Sequence, residues 1–397
     1  MKNNKIALGL LLLNLFIAFL GNGLIIPVLP TIMNELGISG TTIGYLTAAF
    51  AIAQLIVSPY AGKAVDKVGR KIMIVIGLFI FGISEFLFGL GKEIEVLFVS
   101  RILGGISAAF IMPAATAFIA DITTLDTRPK ALGYMSAAIS TGFIIGPGIG
   151  GFLAEIGTRV PFFFAGGLGT LAAFFSILFL SEPDRKKERF GHTAKPNSGF
   201  KLIFSQKYFF AFILIFITSF GLAAFDSFFS LFVDHKFQFT PFDIAIAITG
   251  GAIFGAVSQV ILFDKLTRLW GEIKLIRYCL ILSAILVYLM TVVQSYFSIL
   301  VVTFIVFVGF DLFRPAITSY LSNHAGDEQG FVGGMNSMFT SLANISGPIL
   351  GGILFDIDIH FPYYFAAIVL ALGIVVTWFW KKPKTDSANV VRNVSGN

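Results

Sequence analysis

The sequence has few charged residues and a single cysteine. Only 13% of its 397 residues are Asp, Glu, Lys or Arg and 56% are hydrophobic, whereas soluble globular proteins carry roughly 25% charged residues. A chain with this balance would not stay dissolved in water. Cys279 is alone, which excludes an intramolecular disulfide and a zinc site built on several cysteines. A GxxxxGK[ST] phosphate-binding loop is absent, which excludes ATP hydrolysis by that motif.

The main feature that the sequence does have is a series of long apolar segments. Runs of roughly twenty mostly apolar residues recur along the whole chain, and each is long enough to cross a bilayer as a helix. We therefore predict an all-α polytopic membrane protein. The twelve predicted spans are 6–30, 41–62, 71–91, 96–121, 130–154, 160–181, 208–233, 243–263, 273–293, 296–321, 330–354 and 361–380.

The basic residues predict how the chain is oriented. All but five of the 28 Lys and Arg residues lie in segments on the same side of the membrane as the N-terminus. Lys92, Arg159 and Lys236 lie on the other side, and Arg101 and Arg314 fall inside spans. The positive-inside rule predicts that both termini lie on the cytoplasmic side, and we expect the membrane to be the plasma membrane of a cell. This segregation accounts for the net charge of +6, so we expect the lipid bilayer, and no nucleic acid, as a partner.

A hydrophilic segment divides the chain into two parts. We predict an N-terminal six-helix bundle at 1–181, a cytoplasmic linker at 182–207, a C-terminal six-helix bundle at 208–381 and a cytoplasmic tail at 382–397. Spans 1 to 6 are called the first half below, and spans 7 to 12 the second half.

The two halves share short motifs at a constant offset. Gly146–Gly151 (GPGIGG) recurs 201 residues later as Gly347–Gly352 (GPILGG). Pro113–Ile119 (PAATAFI) recurs 202 residues later as Pro315–Leu321 (PAITSYL). Matches at half the chain length indicate an internal duplication. Secondary transporters have this organisation, with the substrate site between the repeats.

Span 5 is apolar but contains many residues that weaken helices. The segment GYMSAAISTGFIIGPGIGG at 133–151 holds six glycines and one proline. Residues four apart share a helix face, so the small residues form one stripe: Ala138, Gly142, Gly146, Gly150 and Ala154. Such a stripe lets another helix approach closely, and Pro147 favours a bend. We predict a smooth contact between two halves that rock; static helix packing is the alternative.

Four motifs resemble the drug/proton antiporters of the major facilitator superfamily. The spacing G-x8-G-x3-G-P-x2-G-G in span 5 is similar to their antiporter motif. GKAVDKVGRK (Gly62–Lys71) resembles the superfamily's loop motif, LFVSRILGGISA (Leu97–Ala108) its arginine motif, and LGNGLIIPVLP (Leu20–Pro30) the first-span motif of twelve-span exporters. The resemblance covers essentially all the chain except the tail. It implies two pseudo-symmetric six-helix bundles and proton-coupled export of lipophilic, often cationic drugs and dyes.

Ionisable residues inside spans are the predicted sites of proton coupling. They are Asp226 on span 7, Asp311 and Arg314 on span 10, and Arg101 on span 4. Removal from water favours the protonated form of a carboxyl group, so a proton and an organic cation would compete for one negative charge. In one alternative, Asp311 and Arg314, at positions i and i+3, only neutralise each other. In another, Arg101 pairs with Glu85 rather than taking part in proton movement.

Polar and aromatic residues on these helix faces predict one cavity for the cargo. Aromatic rings attract desolvated cations and tolerate many shapes, which suits broad specificity. The predicted substrate-binding residues are Gln54, Phe143, Asp226, Phe229, Phe307, Asn336 and Asn344.

At the predicted cytoplasmic end, the resemblance implies a charge lock that breaks on inward opening. It places Asp66 near the N-terminus of span 11, where the helix dipole favours an anion. The alternative is that these charges only set topology. The predicted conformational switch comprises Gly62, Asp66, Gly69, Arg70, Asp121, Gly142, Gly146, Pro147 and Gly150.

Other functions remain open at this point. A metabolite exporter of the same fold, for example one for polyamines, is the main alternative. A proton-coupled uptake symporter is disfavoured by the span 5 motif, and a receptor would not need acids inside spans. We predict a monomeric transporter, not an enzyme, without cofactor or metal, whose cargo is small drugs or dyes and protons.

Overall fold

The computed structural model describes residues 2–124, 126–183, 204–205, 208–325 and 328–380. In this part of the chain, twelve helices are long and apolar enough to cross a membrane, and no residue is assigned to a strand. The prediction of an all-α protein with twelve spans is thus confirmed. Most of the predicted linker and all of the predicted tail lie outside the described residues.

Spans 1, 2, 4, 5, 7, 8, 10 and 11 are longer than the sequence predicted, whereas spans 3 and 9 have the predicted length and spans 6 and 12 are slightly shorter. In the first half, span 1 comprises Lys2–Leu24, Ile26–Val28 and Leu29–Leu36, and spans 2 to 6 are Gly40–Val68, Arg70–Leu90, Ile94–Ile122, Arg128–Ile156 and Val160–Phe179. In the second half, spans 7 to 12 are Phe209–Phe237, Pro241–Trp270, Glu272–Val292, Tyr296–Ala325, Gln329–Ile357 and Phe361–Phe379.

Span 1 is interrupted, which corrects the prediction of one helix over 6–30. A 3-10 turn at Ile26–Val28 separates two α-helical pieces. Pro27 and Pro30 lie at this break, where each removes a backbone N–H and so a possible helical hydrogen bond. The second piece ends at Leu36, and the next residue, Gly37, has a φ of +62°, a left-handed conformation that glycine adopts readily.

The turn between spans 2 and 3 explains one glycine of the loop motif. Gly69 has a φ of +123°, which is strained for any residue with a side chain. The Glu182 carboxylate lies beside it and accepts hydrogen bonds from the backbone N–H groups of Arg70 at 2.6 Å and Lys71 at 2.8 Å. A carboxylate at a helix N-terminus is stabilised by the helix dipole. The short segment that follows span 6 thereby caps span 3.

The two halves contact each other closely at one end of the molecule. A Cβ atom added to Gly352 of span 11 would lie 2.5 Å from the Gly40 carbonyl oxygen of span 2. A Cβ atom added to Gly151 of span 5 would lie 2.7 Å from the Pro241 carbonyl oxygen of span 8. The backbones meet there because glycine has no side chain. We call this the closed end.

Among the described residues, the halves are apart at the opposite end, where span 1 begins, span 12 ends and most of the described Lys and Arg residues lie. No atom from elsewhere in the described chain lies within 4 Å of a Cβ position on Gly62, Gly133, Gly333 or Gly334. These glycines belong to spans 2, 5 and 11, the same helices that pack tightly at the closed end. We call this the basic end. As far as the described residues show, the structure is therefore open between the halves at the basic end.

Candidate functional site

A cavity of about 490 Å³ lies between the two halves. Most of its wall comes from spans 1, 2 and 4, and the second half contributes Arg314 from span 10 and Asn344 from span 11. The other polar wall residues are Asn22, Thr47, Gln54, Arg101 and Ser107, and the aromatic ones are Phe19, Phe50, Phe81, Phe88 and Phe143. The described wall thus combines two guanidinium groups, amides and aromatic rings.

Helical spacing explains why these residues share one wall. Thr47, Phe50 and Gln54 lie three and four residues apart on span 2 and so project from one face. Sequence reasoning found only Gln54 of this set. Polar or aromatic residues at i, i+3 and i+7 are the signal that identifies the other two. Asn22 was missed too, although it lies in the first-span motif.

Five of the predicted site residues belong to the cavity wall: Gln54, Arg101, Phe143, Arg314 and Asn344. The predicted residues that lie outside this wall are Asp226, Phe229, Phe307, Asp311 and Asn336. The expectation that both acids face one cavity together is therefore not met in this conformation. The wall within the described residues holds cationic groups and no carboxylate.

Asp311 lies between spans 8 and 10. A Cβ atom added to Gly255 of span 8 would collide with the Asp311 carboxylate, and one added to Gly251 would lie 2.5 Å from the ring of Phe307. The two glycines, four residues apart, leave a groove on span 8 that receives both side chains. Phe307 is therefore a packing residue here, and Asp311 is held one helical turn from Arg314.

Arg314 faces the cavity without a carboxylate partner. Among the ion pairs of the described residues, none joins Arg314 to Asp311. Simple neutralisation by direct contact, the alternative raised from the sequence, is therefore absent from this structure. The two groups still act on each other over a distance, because charges interact over several ångströms in a membrane protein.

The second acid, Asp226, and its neighbour Phe229 point to different surroundings. The Asp226 side chain is exposed, whereas Phe229 is 1% exposed and packs on Phe225 with ring centroids 5.4 Å apart. The prediction that Phe229 lines the cargo cavity is wrong for this conformation, because helix packing buries the ring in the second half. Asn336 is half-buried on span 11.

Arg101 is paired inside the first half. One of its guanidinium nitrogens lies 3.8 Å from a carboxylate oxygen of Glu85, which is 2% exposed. The guanidinium also lies over the Phe88 ring, 4.4 Å from its centroid. The pair raised as an alternative from the sequence is thus present. Because Glu85 balances Arg101, Arg314 is the cation of the cavity wall that has no carboxylate of the described residues in contact.

The small-residue stripe of span 5 packs against span 1 of its own half. Cβ atoms added to Gly142 and Gly146 would lie 2.8 and 2.7 Å from the carbonyl oxygens of Phe16 and Leu20, and Gly150 meets Leu24. The prediction that this stripe forms the contact between the halves is therefore wrong. Pro147 also packs on span 1, because a Cβ atom on Gly23 would lie 3.0 Å from its Cδ atom.

Neighbouring glycines on a different face of span 5 make the contact between the halves. A Cβ atom on Gly148 would lie 3.2 Å from the Thr249 hydroxyl of span 8, and Gly151 contacts Pro241 and Ala245 of the same helix. Span 11 is arranged in the same way. Its Gly347 and Gly351 pack on span 7 of their own half, whereas Gly352 meets span 2 of the other half.

The charged residues at the basic end form a cluster within the first half. Arg70 lies 2.8 Å from the Asp121 carboxylate and 3.3 Å from that of Asp66. The Asp66 side chain is 73% exposed, because the halves are apart at this end. A contact between Asp66 and the N-terminus of span 11 stays a prediction for the state in which the basic end is closed.

Phe143 gives the first testable consequence of this geometry. Its ring is 44% exposed in the cavity and lies edge-on to Phe19 at 5.0 Å. We expect Phe143→Ala to weaken the binding of bulky planar cargo roughly tenfold, since loss of a stacking partner costs about 0.5–1.5 kcal/mol beyond the area lost, and to spare small cargo.

Equilibrium binding to the purified protein, measured for one large planar dye and one small cation, tests this expectation. Phe152→Ala is the matched control, because Phe152 is on the same helix and 59% exposed but outside the cavity wall. Equal losses for the two variants would contradict a role of Phe143 in cargo shape.

Comparisons with known proteins agree with the motifs. The family model described as Major Facilitator Superfamily matches residues 11–335 and 211–394. The chain is 67% identical over 383 residues to "Multidrug resistance protein 1" of Bacillus subtilis (strain 168), covering 96% of this chain and 98% of the relative. It is 45% identical over 370 residues to "Quinolone resistance protein NorA" of Staphylococcus aureus (strain MRSA252), covering 93% and 95%.

A solved structure shows the same fold. The chain is similar, with a TM-score of 0.82 and 16% identity, to a bacterial homologue of the human lysosomal transporter Spinster in an inward-facing and occupied conformation. The match covers 96% of this chain and 97% of that one. At this identity the likeness concerns the fold alone.

Proposed function

This chain belongs to the major facilitator superfamily, and we propose that it is a multidrug efflux transporter that exchanges lipophilic, often cationic drugs for protons. Relatives named for multidrug and quinolone resistance match it over nearly their whole length. The observation that carries the proposal is the cavity between the halves, open at the basic end and closed at the other. By the positive-inside rule, the open end faces the cytoplasm.

The cavity wall suits cargo of varied shape. Five phenylalanine rings line it, and aromatic faces attract desolvated cations by about 2 kcal/mol or more without demanding one geometry. Amide groups of Asn22, Gln54 and Asn344 lie among the rings and can donate or accept hydrogen bonds. Broad specificity follows from rings that supply most of the contact and a few adaptable polar groups.

Asp311 and Arg314 supply a way to couple cargo to protons. When Asp311 is ionised, its charge offsets that of Arg314 one helical turn away on the cavity wall. When Asp311 binds a proton, the charge of Arg314 is no longer offset and repels a cation in the cavity. For one charge at roughly 6 Å and an effective dielectric near 20, this repulsion is about 3 kcal/mol, or roughly a hundredfold in affinity. Proton and cation binding therefore exclude each other.

The experiment that tests the function is ethidium efflux from cells that express the chain, with and without a proton uncoupler. Active efflux that stops when the uncoupler is added is the expected result. The control is a strain with empty vector. Efflux that continues at full rate in uncoupled cells would contradict proton exchange.

Asp226 lies outside the cavity wall, and we propose that its charge still attracts cations that bind in the cavity. At a separation of roughly 12 Å and an effective dielectric near 20, loss of its charge removes about 1.4 kcal/mol, or roughly tenfold in affinity. We expect Asp226→Asn to weaken binding of cationic dyes by about this factor and to leave neutral drugs unaffected.

The matched control is Asp264→Asn, because Asp264 is an exposed acid near the basic end of span 8 and outside the wall. Binding of one cationic and one neutral compound is measured for both variants. Equal losses for the two compounds in Asp226→Asn would assign Asp226 a coupling or structural role instead.

A further inference from the structure

A carboxylate joins the two halves at the closed end. Asp356, near the end of span 11, accepts a hydrogen bond from the Gly40 backbone N–H at 2.7 Å and another from the Thr41 N–H at 2.9 Å. Each oxygen of the carboxylate takes one of these bonds. One side chain of the second half thus caps the first helix turn of span 2 in the first half.

Span 2 depends on the other half for this cap. The first N–H groups of any helix have no partner inside it. Ser39 accepts the hydrogen bond from Thr42 at 3.2 Å, and no acidic residue lies in the first turn of span 2. The N–H groups of Gly40 and Thr41 are therefore satisfied by Asp356. Hydrogen bonds to a charged acceptor are stronger than neutral ones, and the helix dipole adds to them.

The surrounding packing brings the carboxylate within reach. Gly40 is buried against Phe355, whose ring would lie 2.8 Å from a Cβ atom on Gly40. Gly352, one helical turn before Asp356, contacts the backbone of Gly40 and Thr41. A larger residue at either glycine would push span 11 away from span 2.

Within the part of the chain that the structure describes, the equivalent contact between spans 5 and 8 has no such carboxylate bridge. At the repeat offset of 201 residues, Ser39 corresponds to Thr240 and Asp356 to Glu155. Thr240 instead caps span 8 together with Asp243 of its own helix, whose carboxylate accepts hydrogen bonds from the Thr240 hydroxyl at 2.6 Å and from the Thr240 backbone N–H at 3.0 Å. Glu155 is exposed. The same helix end is closed locally in one repeat and across the halves in the other.

We propose that Asp356 is a latch that stabilises the conformation closed at this end, and that the latch must open before cargo can leave there. The inference goes beyond the exchange of drugs and protons and rests on the proposed movement between two open states. It assigns the control of that movement to a residue that belongs neither to the described cavity wall nor to spans 7 and 10, which carry the acids.

The test measures the distance between the halves at the closed end. Spin labels are attached to cysteines at Ile156 of span 5 and Phe297 of span 10, which are 69% and 74% exposed, in a Cys279→Ser background. The full chain is placed in lipid nanodiscs, and pulsed electron paramagnetic resonance gives the distance distribution. We expect Asp356→Asn to raise the ratio of long to short distances about tenfold.

Two further variants separate the latch from other effects. Thr41→Pro removes one of the two N–H donors and leaves the carboxylate intact, and proline is tolerated in the first turn of a helix. It is expected to shift the distances in the same direction. Asp243→Asn removes a helix cap of the same chemistry that does not cross between the halves, and is expected to leave the distribution at the wild-type values.

The outcomes decide the proposal without reference to transport. Shifts in Asp356→Asn and Thr41→Pro but not in Asp243→Asn support the latch. Wild-type distributions in both latch variants, or the same shift in Asp243→Asn, overturn it. The distance measurement needs no drug and no proton gradient. A negative result therefore does not contradict the proposed drug/proton exchange. If ethidium efflux fails, the distance distributions can still be interpreted.

Discussion

Asp311→Asn is expected to abolish efflux driven by a proton gradient while leaving the chain inserted in the membrane. Asparagine cannot bind and release a proton, so the charge on Arg314 stays unbalanced throughout the cycle. The loss in active efflux should reach at least roughly a hundredfold, the factor that the Asp311 charge contributes to cation affinity. The amide fits the groove beside Gly255 because it has nearly the size of the carboxyl group, so folding should be spared.

Purified protein in proteoliposomes with an imposed pH gradient provides the measurement. Asp311→Glu keeps a titratable group and should retain part of the activity, and Asp264→Asn changes an exposed acid of span 8 and should behave as wild type. Exchange of labelled for unlabelled dye without a gradient should persist in Asp311→Asn at dye concentrations raised to offset the weaker cation binding, because exchange needs no proton. Uphill efflux at the wild-type rate in Asp311→Asn would show that another group couples the proton.

Gly146→Leu is expected to destabilise the first half and eliminate transport. A Cβ atom at this position would already lie 2.7 Å from the Leu20 carbonyl oxygen and 2.8 Å from the Gly23 Cα atom. Both are backbone atoms and cannot move unless the helix moves. Spans 1 and 5 must therefore separate, at a cost of about 1–3 kcal/mol or more, and the cavity wall that both helices contribute to is distorted.

Thermal unfolding of the purified variant and dye efflux test this prediction together. Gly133→Leu is the matched control, because Gly133 is on the same helix and no atom from elsewhere in the described chain lies within 4 Å of its Cβ position. Gly146→Ala should fall between the two. A Gly146→Leu variant with the unfolding temperature and efflux rate of the wild type would show that this close contact is dispensable.

The number and class of the helices follow from composition because the bilayer acts on each span separately. A segment must be apolar over roughly twenty residues to cross the hydrocarbon core, and its backbone must be hydrogen-bonded within itself. Both conditions are visible in a linear sequence. The distribution of basic residues near the span ends, which predicts the orientation of the chain, is visible in the sequence as well. Pro27 and Pro30 mark the break in span 1, but the sequence did not predict it. Whether prolines kink a helix or interrupt it depends on how the neighbouring helices pack around the two pieces.

Helical spacing identifies residues that share a face, but the partner of that face is a tertiary property. Gly142, Gly146 and Gly150 were correctly grouped on one stripe, yet the stripe meets span 1, while Gly148 and Gly151 meet the other half. A close helix contact needs small residues whichever helix it faces. The composition of the stripe is therefore the same in both cases, and only the arrangement of the helices distinguishes them.

The charged groups show the same division. That an acid or an arginine inside a span has a special role follows from the cost of placing a charge in lipid, which is a property of the sequence. Which neighbouring helix or cavity the charged side chain contacts does not follow from the sequence. Asp311 turns to a groove on span 8 and Arg314 to the cavity, because positions three residues apart on a helix still differ in direction by about 60°, which is enough to reach a different neighbour. Asp356 reaches span 2 only because the halves are closed at that end.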